Sequence, residues 1–214
     1  MQFIYEENIT NQMKITGDNH KYLFKVRRLK VGDEINVTNF EKIFKFKIVD
    51  INKKEATITK LLEFQVSQNL KTFHIGWCKI DVKNIEKVLP TLNEIGVTKI
   101  TFIDCDRSQK NFKIKMDRIE KILINSNQQC GRVSLMEIDF CESLDKFLEL
   151  FPKARVCDFG GEKITDYFEV GIVGCEGGFT QRERELFTKT ISFDTPLILR
   201  SESAVVSLAS KVLL

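Results

Sequence analysis

Two hydrophobic rhythms run along this chain, and they change over near residue 67. In the first part the period is two. Phe44, Phe46 and Ile48 alternate with lysines, the mark of a half-buried strand. Residues 57–62 are β-branched and apolar and predict a second strand, with Asn52-Lys53-Lys54 as a hairpin turn between the two. A third strand is predicted at 34–38, after the Gly32-Asp33 turn, and a helix-like piece at 18–29. Several short strands around one core predict a small barrel or sandwich.

Beyond residue 68 strands and helices alternate. A strand at 72–77 leads into a segment with Val82, Ile85, Val88, Leu89, Leu92 and Ile95 on one helical face. Pro90 sits inside it and is expected to kink or break it. Gly96 stops the helix. Strands follow at 98–103, 133–138, 154–158 and 170–173, and helices at 112–130, 143–150, 180–189 and 202–213. Thr180-Gln181-Arg182-Glu183 is a capping box for the third of these helices. This alternation predicts an α/β domain on a parallel sheet.

At 214 residues the chain has room for one large domain or two small ones. Hydrophobic residues are 43% and charged residues 29%, a globular balance that excludes a mostly disordered chain. No apolar run nears the roughly 20 residues that span a bilayer, and the first residues lack a basic-then-apolar signal pattern; a cytoplasmic protein with no membrane partner is expected. The six cysteines form no CxxC pair, so reduced, mostly buried thiols are expected. With two histidines, His20 and His74, no metal site is expected.

Charge is informative locally. From His20 to Lys30 there are five basic residues and no acid. From Arg107 to Arg132 seven basic residues face only Asp117 and Glu120. Two such stretches suggest a polyanion partner, although a solvated helix face explains either one alone.

Three segments are candidates for chemistry. Val170-Gly171-Ile172-Val173-Gly174-Cys175-Glu176-Gly177-Gly178-Phe179-Thr180 reads as strand, glycine-rich turn and capped helix. Glycines there let a ligand approach the backbone closely, but a tight turn fits the spacing equally well, and neither GxGxxG nor GxxxxGKS is present. In Pro196-Leu197-Ile198-Leu199-Arg200-Ser201-Glu202-Ser203-Ala204 an apolar run meets an Arg and a Glu at a helix start; a surface ion pair with an N-cap serine also accounts for it. Gln128-Gln129-Cys130-Gly131-Arg132 ends the basic helix.

Together, and in the order HKYLFKVRRLKVGD, QQCGR, GCEGGFTQRE, LILRSESA, these segments resemble the RsmE family of 16S ribosomal RNA methyltransferases over nearly the whole chain. The resemblance implies an α/β fold with an N-terminal PUA-like β-barrel, residues 1–67, and a C-terminal SPOUT methyltransferase domain with a trefoil knot, residues 68–214. It implies S-adenosylmethionine-dependent methylation of N3 of a uridine in 16S rRNA of the small subunit, by a homodimer. A SPOUT enzyme acting on another rRNA or tRNA base is the alternative, and an RNA-binding relative without a working pocket a third.

By the same resemblance Val173, Gly174, Glu176, Gly177, Gly178, Leu197 and Leu199 bind the cofactor. Arg200 orients the uracil or stabilises its charge, and Glu202 orients Arg200 or assists proton removal. Lys25, Arg27, Arg28, Gln129 and Arg132 contact RNA. His20 matches a family histidine, and a packing role fits it as well. Cys175 stands where the family usually has the proline of GPEGG, so a less stiff loop is expected. Gln128 replaces the glutamate of the family's EQ pair.

Overall fold

The computed structural model describes residues 3–65 and 68–214. The chain divides into two units, residues 1–69 with 124–135, and residues 70–123 with 136–214. The expected cut between residues 67 and 68 falls beside residues outside the described ones. The first unit is not one contiguous piece, because the segment 124–135 packs with it. Gln128 Oε1 accepts from the Tyr5 amide at 2.8 Å. The Gln68 amide donates to the Gly131 carbonyl at 2.9 Å and accepts from the Val133 amide at 2.9 Å. Val133 joins Phe3 and Ile43 in a small apolar cluster.

In the first unit the chain runs β1 (Ile4–Tyr5), β2 (Gln12–Ile15), α1 (Gly17–Lys21), a π-helical turn (Tyr22–Val26), β3 (Glu34–Thr38), β4 (Lys42–Ile51) and β5 (Ala56–Gln65). The sheet order is β1-β3-β4-β5-β2, with β1 parallel to β3 and the other pairs antiparallel. The period-two reading holds where it is strongest: Phe44, Phe46 and Ile48 are buried, and Phe46 faces Ile35 across the ladder. Asn52 Oδ1 accepts from the amides of Lys54 and Glu55, which builds the expected hairpin turn. The helix expected at 18–29 ends early, with Arg28 in the left-handed region at φ 56°. His20 is buried; its Nε2 lies 3.1 Å from the Asn52 carbonyl and its ring packs on Phe24. It has the packing role.

The second unit contains β6 (His74–Cys78), α2 (Val82–Ile95), β7 (Lys99–Ile103), α3 (Met116–Cys130, whose end belongs to the first unit), β8 (Glu137–Cys141), α4 (Leu144–Leu150), β9 (Arg155–Lys163), β10 (Val170–Val173), α5 (Gln181–Arg184), β11 (Thr190–Ser192) and α6 (Ser201–Leu213). All six strands are parallel, in the order β11-β9-β10-β6-β7-β8. Every residue of β6 is buried, as expected for a parallel strand covered on both faces. The chain lays β7 and β8 on one side of β6, and later β9, β10 and β11 on the other. The order therefore reverses between β6 and β10, and a crevice opens beyond the carboxyl ends of strands at such a switch point.

Three expectations are corrected. Pro90 does not break α2, which runs on for 14 residues. A helix-interior proline costs about 3 kcal/mol, and α2 buries Ile85, Leu89 and Leu92, each contributing about 1.5–3 kcal/mol. The helix expected at 180–189 is one turn long, because 3₁₀-type bonds from Leu186 N to Glu183 O and from Phe187 N to Arg184 O tighten the chain toward β11. The cysteines are not all free thiols: Cys78, the last residue of β6, and Cys105, two residues past the neighbouring strand β7, form a disulfide with Cα atoms 5.7 Å apart.

His74 gives this unit a pH dependence. Its ring is buried, with Nε2 2.8 Å from Thr101 Oγ1, and burial pushes its pKa down to about 4. Between about pH 4 and 6.5 the unfolded chain binds a proton that the fold refuses, so stability falls as pH drops through that window. The shift corresponds to about 3 kcal/mol. Thermal melts at pH 6.5 and pH 4 should show a smaller loss for His74→Gln than for the wild type; equal losses would contradict the assignment.

Candidate active site

The crevice holds a cavity of about 590 Å³ in the second unit, lined by residues 157–160, 173–179 and 197–201 with Arg107 and Arg184 among the others. Its floor is the end of β10 and the loop that follows. Gly174 leaves little room for a side chain, since a Cβ there would lie 3.1 Å from the Phe179 ring; at Gly177 it would lie 3.2 Å from Arg107 Cβ. Gly178 takes φ 62°, a left-handed conformation suited to glycine, and its amide donates to the Cys175 carbonyl at 3.0 Å. The loop then enters α5 through the expected capping box: the Thr180 hydroxyl accepts from the Glu183 amide, and Glu183 Oε2 accepts from the Thr180 amide at 2.8 Å.

The loop is braced from below. Cys175 is buried, and its thiol donates to the Arg107 carbonyl at 3.2 Å. A proline has no such donor, so the expected slackening is offset here. Burial raises the Cys175 pKa and keeps the thiol neutral. A second support crosses the sheet: Trp77 Nε1 donates to Ser201 Oγ at 2.8 Å, and the Ser201 hydroxyl donates to the Gly174 carbonyl at 2.5 Å. That pair fixes the first turn of α6 against the loop.

The opposite wall is apolar. Leu197 and Ile198 are 71% and 80% exposed at the mouth, with Phe159 at 69%. Three arginines reach the cavity, Arg107, Arg184 and Arg200. Arg184 is held by Asp158 at 2.6 Å. Arg200 is exposed at the N-cap of α6 and, among the described residues, makes no ion pair. Cys157 also lines the wall; burial pushes its pKa up to about 12, so it stays a neutral thiol.

All seven residues expected to hold a cofactor, together with Arg200, line this cavity. Glu202 does not. One helical position into α6, it lines a separate, smaller cavity with Asn84, Lys87, Val88 and Ser207, and its Oε2 is buried without a hydrogen-bond partner. In the first unit, Lys25, Arg27, Arg28 and Gln129 are exposed. Arg132 is a correction: it is 5% exposed, with Nε donating to the Ser134 carbonyl at 3.0 Å and the Ser134 hydroxyl at 3.2 Å. It ties a turn and does not present a free guanidinium. Arg107, Cys157, Asp158, Phe159 and Arg184 belong to the cavity without a sequence signal that set them apart.

A glycine cradle facing an apolar wall suits a flat, partly apolar ligand with a polar tail. The backbone of 174–178 and the side chains of Val173, Leu197 and Leu199 line the cavity. S-adenosylmethionine has this chemistry, and the residues present fit it. Such a cavity at the switch point of a parallel sheet is that of a nucleotide-like-ligand-binding α/β protein of the methyltransferase type.

Comparisons with known proteins define it further. The RNA methyltransferase domain family matches residues 67–213, and the RNA methyltransferase PUA domain matches residues 15–61. Ribosomal RNA small subunit methyltransferase E of Helicobacter pylori is 37% identical over 225 residues, covering 98% of each chain. The protein of that name from Buchnera aphidicola is 33% identical over 95% of this chain and 88% of its own. The chain belongs to this RNA methyltransferase family, the small subunit methyltransferase E, or RsmE, family. Its fold is shared with the Neisseria gonorrhoeae methyltransferase E solved with S-adenosylmethionine (TM-score 0.76, 19% identity, 98% of this chain and 95% of that one). It is shared too with a Legionella pneumophila protein solved with the same cofactor (TM-score 0.78, 22% identity, the same coverage). No helix among the described residues is long and apolar enough to cross a membrane.

Proposed function

We propose that this protein transfers a methyl group from S-adenosylmethionine to N3 of a uridine in 16S rRNA of the small ribosomal subunit. The observation that carries the reading is the glycine-cradled cavity at the strand switch point, with Arg200 exposed at its edge, in a chain of this family. The setting is cytoplasmic. In this reading residues 1–67 form a PUA-like RNA-binding barrel, and residues 68–214 a SPOUT domain whose C-terminal segment is knotted. Two copies associate, and the exposed Leu197 and Ile198 supply apolar surface for that contact.

When bound, S-adenosylmethionine supplies an electrophilic methyl on a sulfonium. Val173, Gly174, Leu197 and Leu199 offer it backbone groups and apolar cover, and Glu176, Gly177 and Gly178 complete the loop around it. Holding donor and acceptor in line supplies much of the acceleration. The uridine N3 carries a proton that must leave to bulk water, so negative charge grows on the uracil. Arg200 is placed to hold that charge and to orient the ring. Glu202 opens on a different cavity, so no proton-transfer step is given to it. Lys25, Arg27, Arg28 and Gln129 contact the RNA, the cations through phosphate; Arg132 is not among them.

The test is methyl transfer to small ribosomal subunits that lack the modification, followed by digestion to nucleosides. The expected product is 3-methyluridine from 16S rRNA. A methyl group on another base or another RNA, or no transfer by folded protein, would contradict the proposal.

A further inference from the structure

The turn after β7, residues 105–108, is not among the segments that pointed to the site, yet the cofactor loop is built around it. Arg107 Nη1 donates to the Gly177 carbonyl at 2.8 Å and lies 3.5 Å from the Phe179 carbonyl. The aliphatic stem of Arg107 fills the space that a side chain at Gly177 would need. The Arg107 carbonyl accepts the Cys175 thiol. One residue thus holds the loop at Cys175 and Gly177 and reaches Phe179 just beyond it.

The turn itself is anchored where it can move least. The Asp106 amide donates to Glu183 Oε1 at 2.8 Å, and Glu183 is fully buried. The Asp106 carboxylate accepts from the Thr180 hydroxyl at 2.6 Å and from Arg182 at 2.9 Å, and the Arg182 hydrogen bond holds its carboxyl below the usual carboxylate range. Ser108 Oγ accepts from the Cys105 amide at 2.9 Å, and Cys105 is bonded to Cys78. The turn is therefore fixed on both sides, and Arg107 reaches out of it into the loop.

We propose that Arg107 is a positioning residue for methyl transfer, which sets the shape of the 174–178 loop so that its backbone is ready for the cofactor. It acts through the loop carbonyls. A preformed loop does not have to be ordered when the ligand arrives, so the gain is read as affinity. The proposal rests on reading this cavity as the cofactor site.

Arg107→Ala and Arg107→Lys test it in the full-length protein. In the ligand-free state, amide hydrogen exchange across 175–179 should quicken about tenfold or more in Arg107→Ala, while exchange in α6 stays the same. KM for S-adenosylmethionine should rise about tenfold, with kcat at saturation and KM for the RNA within about twofold. Arg107→Lys, which keeps a donor but not the fork, should recover part of both effects. Unchanged loop exchange in Arg107→Ala overturns the proposal. So does a variant in which kcat falls and both KM values rise together with a drop in melting temperature, because that marks general loss of structure. If the wild type fails to bind S-adenosylmethionine, the proposed function fails, and the exchange result alone decides whether Arg107 shapes the loop.

Discussion

Replacing Arg200 with alanine is expected to lower kcat for methyl transfer by about 10²- to 10³-fold, the usual consequence of removing one group aimed at developing charge. Affinity for S-adenosylmethionine should stay within about threefold. The reasoning is positional. Arg200 stands at the N-cap of α6, exposed, on the edge of the cavity, while the cradle is made by the backbone of 174–178 and the apolar wall. Arg182 and Arg184 are held by carboxylates; among the described residues Arg200 is not. Arg200→Lys should recover little, because an ammonium cannot present the planar fork that matches a uracil edge. Steady-state kinetics with a parallel binding titration separate the outcomes. Loss of cofactor affinity with kcat intact at saturation would move Arg200 from the RNA side to the cofactor side.

The second large effect is expected at Ser201. Its hydroxyl stands between Trp77 Nε1 and the Gly174 carbonyl, and both Trp77 and Ser201 are buried. Ser201→Ala leaves a buried indole donor and a loop carbonyl without their partner, each costing about 1–3 kcal/mol. For a chain of this size the melting temperature should fall by about 4–24 °C. Since the same hydroxyl ties α6 to the loop, cofactor affinity should fall with it. Ser201→Thr keeps the hydroxyl and should preserve affinity even where the added methyl disturbs packing. An unchanged melting temperature and unchanged affinity in Ser201→Ala would mean the chain of hydrogen bonds carries no weight.

What the sequence made legible follows physical scale. The β4–β5 hairpin was readable because alternation, β-branched residues and an Asx turn all agree over some 20 residues. The β10–loop–α5 unit was readable because glycines and a capping box have local causes. β1, β2 and β11 are two to four residues long; a stretch that short has no period to read, and partners far along the chain define it. The Cys78–Cys105 pair shows the same limit, since strand adjacency is set by the sheet order and not by the 27-residue spacing.

The same distinction runs through the site. The glycine loop and the Leu197 to Arg200 stretch are contiguous motifs, and they converge on one cavity. Arg107 lies about 70 residues away and looks like any other cation in a basic stretch. Arg132 carries the same charge, yet burial and the Ser134 bonds take it out of the surface. Glu202 stands two residues from Arg200, but helical geometry turns neighbouring side chains about 100° apart per residue, and that rotation sends its carboxylate to another cavity. Motif spacing identified which segments meet; side-chain direction needed the structure.

The most direct test of the central claim is a calorimetric titration of the full-length protein with S-adenosylmethionine, with Arg200→Ala beside it. The account predicts saturable binding near one site per chain, retained in the variant. Folded wild-type protein that binds no S-adenosylmethionine would contradict it.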